Sequence, residues 1–295
     1  MKKLTDAGTY FYAIAIAAFG VIQLVTQNFL TGLFPVPAGL PWRVFWVDLC
    51  SILFLLAGAG LALRVRPYLA AALAGYIFFL FFFSLHLPKM LTDIYNPNAW
   101  SPAFEALMLG SGAFIIANNV ANDGGSGGTP HRRRSQATGI AAVAGIYLFA
   151  LSLVVFAVLH IRYNAYIQTL MPEWMPAHEF LAYVVIAGFL LSSFSLFTNL
   201  KVPLASGLLG TMFLLWVLTL HGPRTFGKWN VETEWASLFV SLAVSGIAFS
   251  IYRRATAAGI DWEPGGLLAE KGMVRSPDRS ALAHKGKVRQ AESCE

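Results

Sequence analysis

The chain has 295 residues, of which 57% are hydrophobic and 12% charged, about half the charged share of an ordinary soluble domain, roughly 25%. It is long enough to bury a large core, but its apolar residues come in blocks of about 18–22 that match a hydrocarbon slab of about 30 Å, which excludes a water-soluble globule. The net charge of +6 is not a nucleic-acid signature, because Lys and Arg stand at block ends and in connections, where membrane topology signals belong.

The N-terminal MKKLTDAGTYFYAIAIAAFG has the two lysines, apolar stretch and A-x-A triplets of a secretory leader. The repeat described below argues that it is retained as the first of eight predicted spans. These cover roughly 9–30, 43–63, 68–87, 102–119, 139–162, 178–199, 203–221 and 235–253. The fold class is therefore an all-α integral membrane protein with eight transmembrane helices. Small-residue clusters, AGAG at 57–60 and GSG at 110–112, suit close helix packing and are not phosphate loops. The Gly- and Ser-rich stretch with three consecutive arginines at 120–138 reads as a flexible polar linker. Residues 254–295 are charged and aperiodic and read as a disordered tail. The only cysteines are Cys50 and Cys294, so no dithiol motif and no cysteine zinc cluster is present.

Positive charge sets an expected direction. Lys2, Lys3, Arg64, Arg66, Arg132, Arg133, Arg134, Lys201, Arg253 and Arg254 fall on one side, and Arg43, Lys89, Arg162, Arg224 and Lys228 on the other. Ten against five puts both termini and the linker in the cytoplasm. The connections near 32–42, 88–101, 163–177 and 222–234 then face outward.

An internal repeat is the most informative pattern. Tyr10, Phe19 and Pro35 match Tyr147, Phe156 and Pro172 at a spacing of 137. Gly75, His86, Pro88, Trp100 and Phe104 match Gly210, His221, Pro223, Trp235 and Phe239 at a spacing of 135. SLHLPKM thus aligns with TLHGPRT, and Lys89 with Arg224. Four spans per half make the repeat parallel: 1–119 and 139–253 are expected to be two four-helix bundles in the same orientation.

Both halves carry an F/M-P-x-(P/W) turn after the first helix and a second helix rich in small residues. The stretch HIRYNAYIQTLMPEWMPAHEFLAYVVIAGFLLSSFSLF, His160 to Phe197, resembles the DoxX-like family of four-helix membrane proteins, and the first half resembles it less closely. The resemblance covers about 10–118 and 145–253 and implies a bacterial inner-membrane location. Some relatives are linked to thiosulfate:quinone oxidoreduction and others to membrane oxidoreductase complexes. It carries over no catalytic residues, and a tandem departs from the family's usual single unit.

Ionisable residues inside spans cost about 2.5–3.5 kcal/mol at mid-helix on insertion scales, so they tend to face a cavity or a partner. Here nearly all lie toward the expected outer face: Gln23, Arg43, Asp48, His86 and Glu105 in the first half, and His160, Arg162, His178, Glu179 and His221 in the second. With Trp100 and Trp235 they form a candidate outer-face polar site. Each has a plainer reading. His86 and His221 would cap helices stopped by Pro88 and Pro223. Trp100 and Trp235 would anchor at the interface. Glu105, His178 and Glu179 begin helices, where an acid favours the N-terminal dipole. Asp48 needs a partner, which Arg43 or His86 could supply, and Glu105 could pair with His86. His86, His160 and His221 share a depth, but no HxxxH or HxxE ligand pair supports a metal.

Three functions compete. The favoured one is a redox-associated membrane component, with a diffusible quinone as cofactor and an oxidoreductase as partner, since the chain has no metal, haem or flavin motif. The second is a transporter or a protein that binds a small molecule or lipid. The third is a non-catalytic subunit whose basic linker and tail dock a partner or sit on anionic lipid. The bilayer is the partner common to all three, and nucleic acid is not expected.

Overall fold

The structure is a computed structural model that describes residues 7–123 and 129–257, without the side chains of Asn98 and residues 129–138. Its regular elements are helices: α1 (Gly8–Thr26), α2 (Arg43–Ala62), α3 (Pro67–Phe81), α4 (Leu87–Thr92), α5 (Pro97–Asp123), α6 (Thr129–Arg162), α7 (Asn164–Thr169), α8 (His178–Thr198), α9 (Val202–Trp216), α10 (Gly222–Gly227) and α11 (Glu232–Ala257). Eight stretches are long and apolar enough to cross a bilayer, which supports a multi-pass membrane protein. Most predicted ends fall within a few residues of the observed ones. The third and seventh spans are longer, running to Thr92 and Gly227.

Those two spans run on because Pro88 and Pro223 do not stop them. Phe82–His86 and Val217–His221 widen into π-helical turns, and the helix resumes as α4 and α10 with proline in the first turn. Proline has no N–H to donate and clashes with the carbonyl four residues back. A widened turn moves that carbonyl aside. Both turns carry a hydroxyl bonded to the carbonyl four residues before it, Ser84 to Leu80 at 2.6 Å and Thr219 to Leu215 at 2.8 Å.

Several helices begin just after a non-glycine residue in the left-handed region. Trp42 (φ 58°) and Ala177 (φ 52°) precede α2 and α8, and Arg66 (φ 44°) and Lys201 (φ 52°) precede α3 and α9. Such a backbone costs an L-residue roughly 1–2 kcal/mol, so packing of the helices that follow must outweigh it.

Successive spans pack side by side, α11 closes back onto α1, and α5 and α11 cross in the middle. The α5 span is 89% buried within the protein, against 61% for that of α11. Packing does not divide into two self-contained bundles, since α1 lies on α11 and α6 on α5. Glycine makes both approaches close. A Cβ added to Gly8 would stand 2.7 Å from the Gly246 carbonyl oxygen, and one added to Gly145 would stand 2.7 Å from that of Ser111. Where α5 crosses α11, a Cβ on Gly112 would meet Ile247 Cδ1 at 2.2 Å. This small-residue packing is how apolar helices associate without a hydrophobic drive.

Two expected boundaries change. The stretch 120–138 is not all linker, because α5 runs to Asp123 and α6 starts at Thr129; residues 124–128 lie outside the described residues. α11 likewise takes in 254–257 of the expected tail, and 258–295 lie outside the described residues. At the helix ends on the terminal side, Asp123 is held by Arg64 at 3.6 Å and by Arg253. Asn119 Nδ2 donates to Ser250 O at 2.9 Å. Together these tie α5 to α11 and to the connection between α2 and α3.

Candidate functional site

At the opposite ends of the helices lies a cavity of about 500 Å3. Its wall from the first α1–α2 connection is Thr31, Gly32, Leu33 and Pro35. That connection turns back into the protein: Phe29, Leu30, Leu33 and Phe34 are buried, and Phe34 stacks on Phe81 with ring centroids 4.3 Å apart. Arg43 fixes its shape, donating to Pro37 O at 2.7 Å and Asn28 Oδ1 at 2.7 Å with its guanidinium over the Phe29 ring. The π-turn and α4 bring His86 and Lys89. The first turns of α5 bring Ser101, Pro102 and Glu105. Across from them, α7 supplies Tyr166, and α11 supplies Thr233, Ala236, Ser237 and Val240.

The cavity is lopsided. Ser101, Pro102 and Glu105 face their own counterparts at a spacing of 135, which are Ala236, Ser237 and Val240. Its His, Lys and Glu all come from the first half, and the second half contributes hydroxyls and apolar groups. The His86 ring lies against the backbone of Leu33 and is 1% exposed, and its Nε2 has no hydrogen-bond partner. A buried polar nitrogen left unpaired costs about 1–3 kcal/mol, and the Leu33 backbone beside the ring offsets part of it. Glu105 Oε1 accepts from Ser101 Oγ at 3.1 Å. Neither Glu105 nor Lys89 has an ion-pair partner among the described residues.

The matching corner of the second half is closed. Arg224 Nη2 binds Glu234 Oε1 at 2.8 Å, Lys228 Nζ approaches the same oxygen at 3.8 Å, and Thr225 Oγ1 donates to Glu234 O at 3.1 Å. His221 stands beside this pair with Nδ1 unpartnered, and it does not line the cavity.

Of the ten predicted site residues, only His86 and Glu105 line this cavity. They share it without the expected hydrogen bond between them. Asp48 pairs with neither Arg43 nor His86; Gln27 Nε2 reaches its Oδ1 at 3.4 Å. Arg43 instead serves the connecting loop. Gln23 and His160 turn back to the carbonyls four residues earlier, Gln23 Nε2 to Phe19 O at 3.4 Å and His160 Nδ1 to Phe156 O at 2.8 Å. The indoles of Trp100 and Trp235 donate to carbonyls six residues back, Ile94 O at 2.9 Å and Trp229 O at 2.8 Å. These tryptophans clamp the start of α5 and α11. Glu179 is exposed in the first turn of α8, and His178 Nε2 bonds Pro172 O at 3.0 Å.

Sequence reasoning missed Thr31, Glu232 and Glu234. Thr31 Oγ1 donates to Glu232 Oε2 at 2.7 Å, joining the first loop to α11. That contact links residues 201 apart and left no local signal. Glu234 did leave one, as an acid in the first turn of the last helix with Ala99 at the matching place. Among the described residues no cluster of metal-ligating side chains occurs. Comparison with protein families, curated proteins and solved structures found no match.

Proposed function

We propose that this chain is a membrane-embedded ligand-binding protein and that the cavity between its halves is the binding site. The observation that carries it is a cavity lined by His86, Lys89 and Glu105 in which neither Lys89 nor Glu105 has an ion-pair partner among the described residues. Its volume lies in the range of small-molecule pockets, about 300–1,000 Å3.

The architecture we propose is a DoxX-like tandem in the bacterial inner membrane, with both termini cytoplasmic and the cavity on the outer side. Supporting the tandem are the π-turns at 82–86 and 217–221, the left-handed residues Trp42 and Ala177, and the Trp100 and Trp235 clamps, each pair 135 residues apart. In this reading the first helix of each half has moved onto the last helix of the other. A redox role is the second reading: His86 Nε2 offers a hydrogen bond to a quinone carbonyl, with an oxidoreductase as partner. Beside the His86 imidazole, Tyr166 is the one aromatic side chain among the lining residues, so the lining suits a charged molecule better.

Native mass spectrometry of the protein released from lipid tests the binding. A small molecule should be retained by wild type and by His221→Ala, and lost from His86→Ala. Equal retention by both variants would remove the cavity from consideration.

A further inference from the structure

We infer that the cavity takes a small zwitterion, its anionic group against Lys89 and its ammonium against Glu105. This rests on the reading that the cavity binds a ligand, and names the ligand's class.

The second half supplies the argument. There the cation after the His-x-Pro element, Arg224, is satisfied internally by Glu234, whose side chain is 8% exposed. The position 135 residues before Glu234 is Ala99, 1% exposed and without a carboxylate. Lys89, the matching cation, therefore lacks the anion that its twin has built in. Glu105 is the opposite case: its counterpart Val240 needs no partner, and the carboxyl has only Ser101 Oγ on Oε1.

An anion alone would satisfy Lys89 but face Glu105. A cation alone would do the reverse. One molecule bearing both groups satisfies both: the anion meets the exposed Lys89 ammonium at the rim, and the ammonium meets the less exposed Glu105 carboxyl. Thr31, Thr233 and Ser237 add hydroxyl oxygens to the lining, those of Thr31 and Ser237 already donating to Glu232 Oε2 and Thr233 O. Two sources share this chemistry, the headgroup of phosphatidylethanolamine and a free α-amino acid.

The test is thermal denaturation of the full chain in phosphatidylglycerol nanodiscs. The added ligands are dihexanoyl-phosphatidylethanolamine, a panel of free amino acids, dihexanoyl-phosphatidylglycerol and a short-chain quinone. A saturable upward shift is expected with the ethanolamine lipid or with an amino acid, and whichever gives it identifies the source. Lys89→Ala and Glu105→Gln should each weaken the apparent affinity at least tenfold. Ala99→Glu, which supplies the twin's carboxylate, should abolish the shift; if it does not fold, Lys89→Glu serves instead. A response to phosphatidylglycerol equal to that of the zwitterions, or indifference of Glu105→Gln, would overturn the inference. A shift with quinone alone would overturn it and leave the binding cavity standing. No shift with any compound, together with an empty native spectrum, would remove both.

Discussion

Removing the Glu234 carboxylate tests the asymmetry between the two halves. In Glu234→Ala, Arg224 loses its 2.8 Å partner, and its side chain is 25% exposed where that of Glu234 was 8% exposed. Breaking a fully buried pair by deleting one partner costs about 3–5 kcal/mol, and an exposed pair is worth about 0–1. This pair lies nearer the buried limit, so the expected loss is about 2–3 kcal/mol. At roughly 2–4 °C per kcal/mol for chains of this size class, the melting temperature should fall by roughly 5–10 °C. Tryptophan fluorescence melts in nanodiscs read this directly. Arg224→Ala should cost a similar amount, and the double variant should cost less than the sum, since the two act as one unit. Lys89→Ala, which deletes a cation with no ion-pair partner among the described residues, should stay within about 0.5 kcal/mol. A drop under about 2 °C for Glu234→Ala, or an equal drop for Lys89→Ala, would refute the reasoning.

Three further outcomes follow from the packing and backbone. Ala177→Gly should raise stability by about 0.5–1 kcal/mol in the same melt, because φ 52° suits glycine and strains alanine. Gly112→Ala should lose about 1–3 kcal/mol by overpacking, and Ile247→Ala added to it should recover part of the loss, because Ile247 Cδ1 is the atom in the way. Tyr12→Phe removes the 3.0 Å bond from its hydroxyl to Leu109 O between α1 and α5, and should cost about 0.5–1.5 kcal/mol in a denaturation series.

The spans were legible because hydropathy in blocks of bilayer length depends only on neighbours in sequence. The proline stops were not, because a π-turn keeps a helix going through a proline and has no residue signature of its own. His86 could be singled out from the repeat, yet the repeat gave His221 equal standing. Their difference lies in Glu234 against Ala99, and Ala99 stands outside the titratable residues that draw attention. Asp48 and Gln23 drew attention as polar residues in apolar surroundings, but Gln27 reaches Asp48, and Gln23 Nε2 turns back to the Phe19 carbonyl and leaves Oε1 unpartnered. Which polar residue meets which depends on helix packing, and that packing brings α1 onto α11 and α6 onto α5.

The closure of α11 onto α1 bears on how the protein is made. Gly8 and Gly246 touch, so α1 packs against a helix that leaves the ribosome well after it. They are separated by roughly 240 residues, and at about 5–20 residues per second α1 waits roughly 12–48 s in the bilayer for its neighbour. During that interval the face that Gly246 will cover, from Gly8 to Tyr12, meets lipid or an insertion factor. The packing of α5 on α11 is likewise completed only once α11 has been made. A chain cut short before α11 would leave α1 and α5 without that neighbour, and the membrane's quality control has those two faces by which to detect it.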